Sequence, residues 1–221
     1  MFELFHRLEG VGLAASALPT VHTTRYRIHG EEHLAALRTD RPVLVAAWHG
    51  QTHLLVGFMR RRLGAARLRF IIPDDERGIA LGTGGRLLGF QPFKISMKEE
   101  SFAAARSTLS LIRSLGPGDV AYINPDGPYG PARVPKDGVA FIAARASAQL
   151  LPVGAYTGTC YRLRRWDRYS VPLPFSRITV VVRPAFTPDR DEPRTSILDR
   201  LTRELTQAIE EAERLHRLRE P

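Results

Sequence analysis

The chain has 221 residues, 43% hydrophobic and 25% charged, enough to bury one sizeable core and short of what several domains need. Its single cysteine, Cys160, excludes an internal disulfide framework and a cysteine-based zinc cluster. A surplus of 32 lysines and arginines over 23 acids gives a formal charge of +9 and favours an anionic partner: nucleic acid, anionic phospholipid or a phosphorylated substrate.

Leu4, Leu8 and Val11 recur at helical spacing with Phe2 and Phe5 alongside, which predicts an amphipathic surface helix over residues 1–20, ahead of a single domain over 21–221. Residues 11–19 are as apolar as a signal h-region, but the start Met-Phe-Glu-Leu-Phe-His-Arg lacks the basic character a signal peptide wants. No run approaches the roughly 20 apolar residues that span a bilayer.

Then TTRYRIHG alternates like a strand and EEHLAALRTD reads as a short helix. PVLVAAW (42–48) is a continuous apolar run, the pattern of a strand buried on both faces, with His49 at its end. A helix over about 51–63, the strand LRFIIP, a helix over 77–89 and a short strand near 93–96 follow. The next helix starts near Glu99 with Phe102, Ala105, Leu109 and Ile112 as its inward stripe, and Gly116-Pro117-Gly118 ends it. DVAYIN is a strand delivering the loop PDGPYGPARVPKDG, after which 139–149 is helical and LLPVGAYTG is a strand. Residues 158–175 form an insertion before the strand RITVVVR, and a charged helix over 193–219 closes the chain. This alternation predicts an α/β domain with a central, largely parallel sheet flanked by helices.

Ligands of such sheets gather outside the carboxyl ends of the strands, where His49, Asp74, Asp75 and Asp126 all fall. A histidine there can take a proton from an alcohol near neutral pH, and Gly50 beside it admits close approach of backbone or ligand. His53, four residues on, makes a two-histidine metal pair conceivable, but no glutamate stands between them, and no metal is expected. The segment NPDGPYGPARVPKDG is rich in proline and glycine and can hold Asp126, Arg133 and Lys136 rigidly around an anionic or hydroxylated headgroup.

Trp48-His49-Gly50, NPDGPYGP (124–131), the R-x-x-K-x-G of 133–138, LPV (151–153) and WDRYSVPLPFS (166–176) occur in one order. Together they resemble a poorly characterised bacterial branch of the lysophospholipid acyltransferase superfamily over roughly residues 22–187. The resemblance implies an acyltransferase of phospholipid biosynthesis that moves an acyl group from acyl-CoA or acyl carrier protein to a lipid hydroxyl, with no bound cofactor. In the wider superfamily a histidine is the general base and a carboxylate five residues later orients it. His49 matches the base, whereas position 54 is Leu54. Asp75, or alternatively Asp74, then stands in for the missing acid. Pro125-Asp126-Gly127 matches a Pro-Glu-Gly segment near the headgroup, assigning Asp126 and Gly127 to acceptor placement. Phe93-Lys94-Ile95-Ser96 matches a basic segment loosely and makes Lys94 a phosphate contact, with Arg133 and Lys136 the better placed cations.

The insertion interleaves Tyr161, Trp166, Tyr169 and Phe175 with Arg162, Arg164, Arg165 and Arg168, a mixture suited to a membrane interface or to single-stranded nucleic acid. Without a recognised nucleic-acid module around it, lipid is favoured. The expectation is a cytoplasmic protein, peripheral on the inner face of the cell membrane. A noncatalytic lipid-binding protein on the same scaffold is the second reading, because of Leu54, and a basic nucleic-acid binder the third.

Overall fold

Val43, Val45 and Ala47 point to one side of the apolar run and Leu44 and Ala46 to the other, and each set joins a different hydrophobic cluster. This two-sided burial defines the architecture in the computed structural model, which describes residues 2–64, 67–96 and 101–218. The run forms β2 (Val43–Ala46) at the centre of a seven-stranded sheet. The other strands are β1 (Arg25–His29), β3 (Leu68–Pro73), β4 (Gln91–Ile95), β5 (Val120–Ile123), β6 (Gln149–Tyr156) and β9 (Arg177–Val182). Their order is β1-β9-β6-β2-β5-β3-β4. All pairings are parallel except β6 with β9.

On one face of the sheet lie α1 (Phe2–Thr23) and α2 (Thr52–Arg62), with α3 (Glu76–Leu87) packed on α1. On the other lie α4 (Phe102–Ser114), α5 (Asp137–Arg145) and α6 (Arg194–Arg217). Helix α6 seats Ile197, Leu201, Leu205 and Ala208 at spacings of three and four, the inward stripe of a surface helix. The two sides of α1 differ in size more than in polarity. Gly10, Ala14, Ala17 and Val21 are buried, while Leu4, Phe5, Leu8, Val11 and Leu13 stand outside. Gly10 makes the α1 and α3 backbones nearly touch: a Cβ there would lie 2.4 Å from the Ala80 carbonyl oxygen.

Several elements differ from the sequence expectation. EEHLAALR forms a 3₁₀ helix (Glu31–Arg38), and the predicted helix over 139–149 is shorter because the chain turns at Ala146-Ser147 to enter β6. In α4 the inward residues are Leu111 and, in part, Ile112, whereas Phe102 is 80% exposed and Ala105 and Leu109 also face out. The insertion contains a two-stranded antiparallel ribbon, β7 (Cys160–Arg162) with β8 (Ser170–Pro172), outside the main sheet. The expected helix start at Glu99, the helix end at 219 and the side chain of Phe2 lie outside the described residues. No described helix is long and apolar enough to cross a membrane.

A candidate active site at three strand ends

Strands β6, β2 and β5 are neighbours, and their carboxyl ends deliver three segments to one place. From β2 the chain passes through buried Trp48 into a single 3₁₀ turn, His49–Gln51, that leads directly into α2. From β5 comes the Asp126 loop, and beyond β6 comes the β7–β8 ribbon with its tip at 163–169.

The tip brings Asp167 to His49. Its Oδ2 lies 2.6 Å from His49 Nδ1, and its side chain is 1% exposed while that of His49 keeps 23%. Asp167 Oδ1 accepts the Tyr169 N–H at 3.3 Å and lies 3.5 Å from Arg165 Nε. Both oxygens are thus engaged, and the carboxylate is fixed before any ligand arrives. An imidazole whose Nδ1–H donates to a carboxylate is held as the tautomer with a basic Nε2.

Two glycines admit the tip. A Cβ at Gly50 would sit 2.2 Å from the Asp167 carbonyl oxygen, and one at Gly130, where φ is +73°, would sit 2.5 Å from the Trp166 ring. Gly50 therefore serves the approach of protein backbone. Trp166 and Tyr169 flank the His49 ring, with centroids 5.5 and 5.7 Å away.

Asp126 has a different place from the one expected. It is 1% exposed, and its oxygens accept the backbone N–H of His49 at 2.9 Å and of Arg133 at 3.3 Å. Turned inward on backbone donors, it anchors His49 and the loop rather than facing a headgroup. Burial pushes its carboxyl above the usual range, with the two N–H groups working against that. Beneath His49, Asn124 Nδ2 donates to the Ala47 carbonyl at 2.8 Å and to the hydroxyls of Thr52 and Tyr122 at 3.2 Å each. Burial raises the Tyr122 phenol to about 12 and moves that of Tyr169 upward as well.

Asp75 does not reach His49. It lies two residues past the end of β3, two strands from β2 and so about 10 Å across the sheet. There it caps α3 through the Gly78 N–H at 3.3 Å and pairs with Arg77, whose Nε lies 3.0 Å away. Desolvation opposes ionisation of Asp75, but Arg77 holds its carboxyl below the usual range. Arg77 also covers the Tyr129 ring, so this cluster braces the Asp126 loop. Asp74 is exposed and its N–H donates to the Ile95 carbonyl. Lys94 is exposed on β4, three strands from β2. Arg133 and Lys136 are exposed on the loop beside Gly127, with the Lys136 N–H donating to the Pro125 carbonyl at 2.8 Å. Leu54 is buried in the core. His53 has its Nε2 buried with no hydrogen-bond partner among the described residues, and burial lowers its pKa below the ordinary imidazole value. No group of three or more His, Cys, Asp or Glu suited to a metal occurs among the described residues.

The structure aligns with the crystal structure of the 1-acyl-sn-glycerophosphate (LPA) acyltransferase PlsC from Thermotoga maritima, at TM-score 0.56 and 16% identity over 91% of this chain and 79% of that one. The two chains share a fold. In sequence, an uncharacterised protein of Rickettsia prowazekii (RP090) is 26% identical over 171 residues, 77% of this chain and 76% of its own length. No family model matches. The acid that meets His49 comes from the insertion after β6. Asp167 lies 118 positions from His49 and not at the end of a main-sheet strand, where sequence reasoning places candidate acids. One signal was present: Asp167 is the sole acid in residues 158–175.

Proposed function

We propose that this protein is a peripheral membrane acyltransferase that moves an acyl group from a thioester donor, acyl-CoA or acyl carrier protein, to a lipid hydroxyl. The observation that carries the reading is the 2.6 Å contact of His49 Nδ1 with Asp167 Oδ2 on an acyltransferase fold. Nε2 of His49 takes the proton of the acceptor hydroxyl as its oxygen attacks the thioester carbonyl carbon. Asp167 stabilises the imidazolium that forms. When the tetrahedral intermediate collapses, the C–S bond breaks, the ester remains on the acceptor, and His49 returns the proton to the departing thiolate. No metal is needed for these steps.

Arg133 and Lys136, exposed on the loop that Asp126 anchors, are suited to the acceptor's anionic headgroup, and Gly127 supplies the positive φ of +63° at the loop's turn. Lys94, on the edge strand β4, stands farther from that headgroup than Arg133 and Lys136. Outside the site, the apolar outer side of α1 supports attachment to a bilayer. The contact of Asp167 with His49 supports catalysis over the noncatalytic reading that Leu54 motivates.

The test is thiol release from acyl-CoA and from acyl carrier protein with a panel of lysolipid acceptors. Turnover that requires lysolipid and disappears in His49→Ala is the expected result. Full turnover in His49→Ala would overturn the reading.

A further inference from the structure

Strand β9 carries Arg177 and Thr179 on one face, in parallel register with Arg25 and Arg27 of the edge strand β1. Three arginines therefore crowd one end of two neighbouring strands, where like charges repel. Among the described residues none of the three guanidinium groups has an acid or a hydrogen-bond partner. The contrast lies just past the other end of β9, where Arg183 is met by Glu204, Gln207 and Glu211 of α6. Because β9 runs antiparallel to β6, the unpaired arginines lie at the edge of the sheet that holds His49, two to three strands away from β2.

A cavity of about 230 Å³ opens at this place, lined by Arg27, Arg177, Thr159, Ser176 and Phe175. Phe175 lies at the root of the β7–β8 ribbon, 77% exposed, with φ at +65°. A bulky residue in the left-handed region is strained and needs to be held there. The Phe175 N–H donates to Thr23 Oγ1 at 2.9 Å, which ties this backbone to the end of α1, and Leu173 two residues earlier is also exposed.

We propose that this cavity binds the phosphate of an anionic membrane phospholipid, separate from the His49 site, with Phe175 entering the acyl region beside it. Two unpaired guanidinium groups and the Thr159 hydroxyl match phosphate oxygens. An outward aromatic held at the rim selects a phosphate that arrives on a bilayer over one free in solution. The inference rests on the membrane part of the proposed function and not on acyl transfer.

The test is sedimentation of the full chain with phosphatidylcholine vesicles, with and without phosphatidylglycerol. Wild type should prefer the anionic vesicles. The double substitution Arg27→Gln/Arg177→Gln should weaken that binding about thirtyfold, from the attraction of two arginines to an anionic surface. Arg145→Gln/Arg190→Gln removes the same charge from the opposite end of the sheet and should weaken it less than about threefold. Phe175→Ser should weaken binding with the net charge unchanged. Equal losses in both double variants, or no preference for anionic vesicles in wild type, would overturn the site. Inorganic phosphate raising the Tm of wild type but not of Arg27→Gln/Arg177→Gln, with no vesicle preference, would overturn the lipid as its source. Acyl transfer read on detergent-dispersed lysolipid separates this result from the fate of the proposed reaction, since neither variant touches His49 or Asp167.

Discussion

Asp167 Oδ2 meets His49 Nδ1 at 2.6 Å across 118 positions of chain, and a buried carboxylate at that distance orients the ring and sets its tautomer. Asp167→Asn keeps the shape and removes the charge. Its acyl transfer rate should fall on the order of 10³–10⁴-fold with the Tm nearly unchanged. Asp75→Asn, which touches the α3 cap and Arg77, should leave the rate constant of the chemical step intact. A rate loss in Asp75→Asn equal to that in Asp167→Asn would return the orienting role to Asp75.

The approach of the tip to His49 depends on Gly50. A methyl group there meets the Asp167 carbonyl at 2.2 Å, and neither backbone has a flexible group to move aside. Gly50→Ala should displace the carboxylate by part of an ångström to an ångström and cost roughly 10²-fold in kcat, with a small change in KM for the acceptor. Steady-state kinetics at varied lysolipid separates the two parameters.

Much of the fold was legible because β2 is an unbroken apolar run and α6 carries apolar residues at spacings of three and four, and the place of His49 at a strand end was legible from where that run stops. The inward face of α4 was not, since Phe102 and Leu109 have the spacing of a core stripe but the helix packs through Leu111. Asp167 was hidden for a different reason. It sits on a ribbon whose strands have three residues each, too short for a period-two signal, and its pairing with His49 is a tertiary contact that no local rule reaches.

Asp126 illustrates the same limit, since sequence gives the residue and not the direction of its side chain. Asp126→Ala would leave the N–H groups of His49 and Arg133 without acceptors in a buried place. The expected loss is roughly 2–4 kcal/mol in stability by denaturant titration, together with loss of activity. Asp126→Asn keeps one accepting oxygen and should lose about half as much. If Asp126 contacted the headgroup instead, its substitution would raise the KM for lysolipid and leave stability alone.

His53 supplies a pH dependence. Burial lowers its folded pKa below the ordinary value of 6.5, so the unfolded chain binds more protons than the folded one between the two values. The stability of the neutral form is complete above the unfolded pKa and is lost as pH falls through the window beneath it. Denaturant midpoints should therefore decline below about pH 6.5, and His53→Leu should flatten that decline. An unchanged slope in His53→Leu would mean that another group carries it.

The outer side of α1 yields a prediction that separates membrane attachment from folding. Leu4, Phe5 and Leu8 all face away from the protein, while Gly10, Ala14 and Ala17 make its contacts with the body of the domain. The outward side chains add little to the core, so Leu4→Ser/Phe5→Ser/Leu8→Ser should keep the Tm. Each side chain is worth on the order of 1 kcal/mol or more when it leaves water, so vesicle binding should fall at least about a hundredfold. The N-terminal half of α1 lies beside the start of α3, where His6 Nε2 is 3.9 Å from Glu76, and α3 itself follows directly from the carboxyl end of β3. This places the apolar side near the edge that bears His49, so transfer to lysolipid embedded in vesicles should drop with binding while transfer to dispersed lysolipid persists. Loss of Tm in this triple variant, with vesicle binding retained, would show that these side chains serve the fold instead.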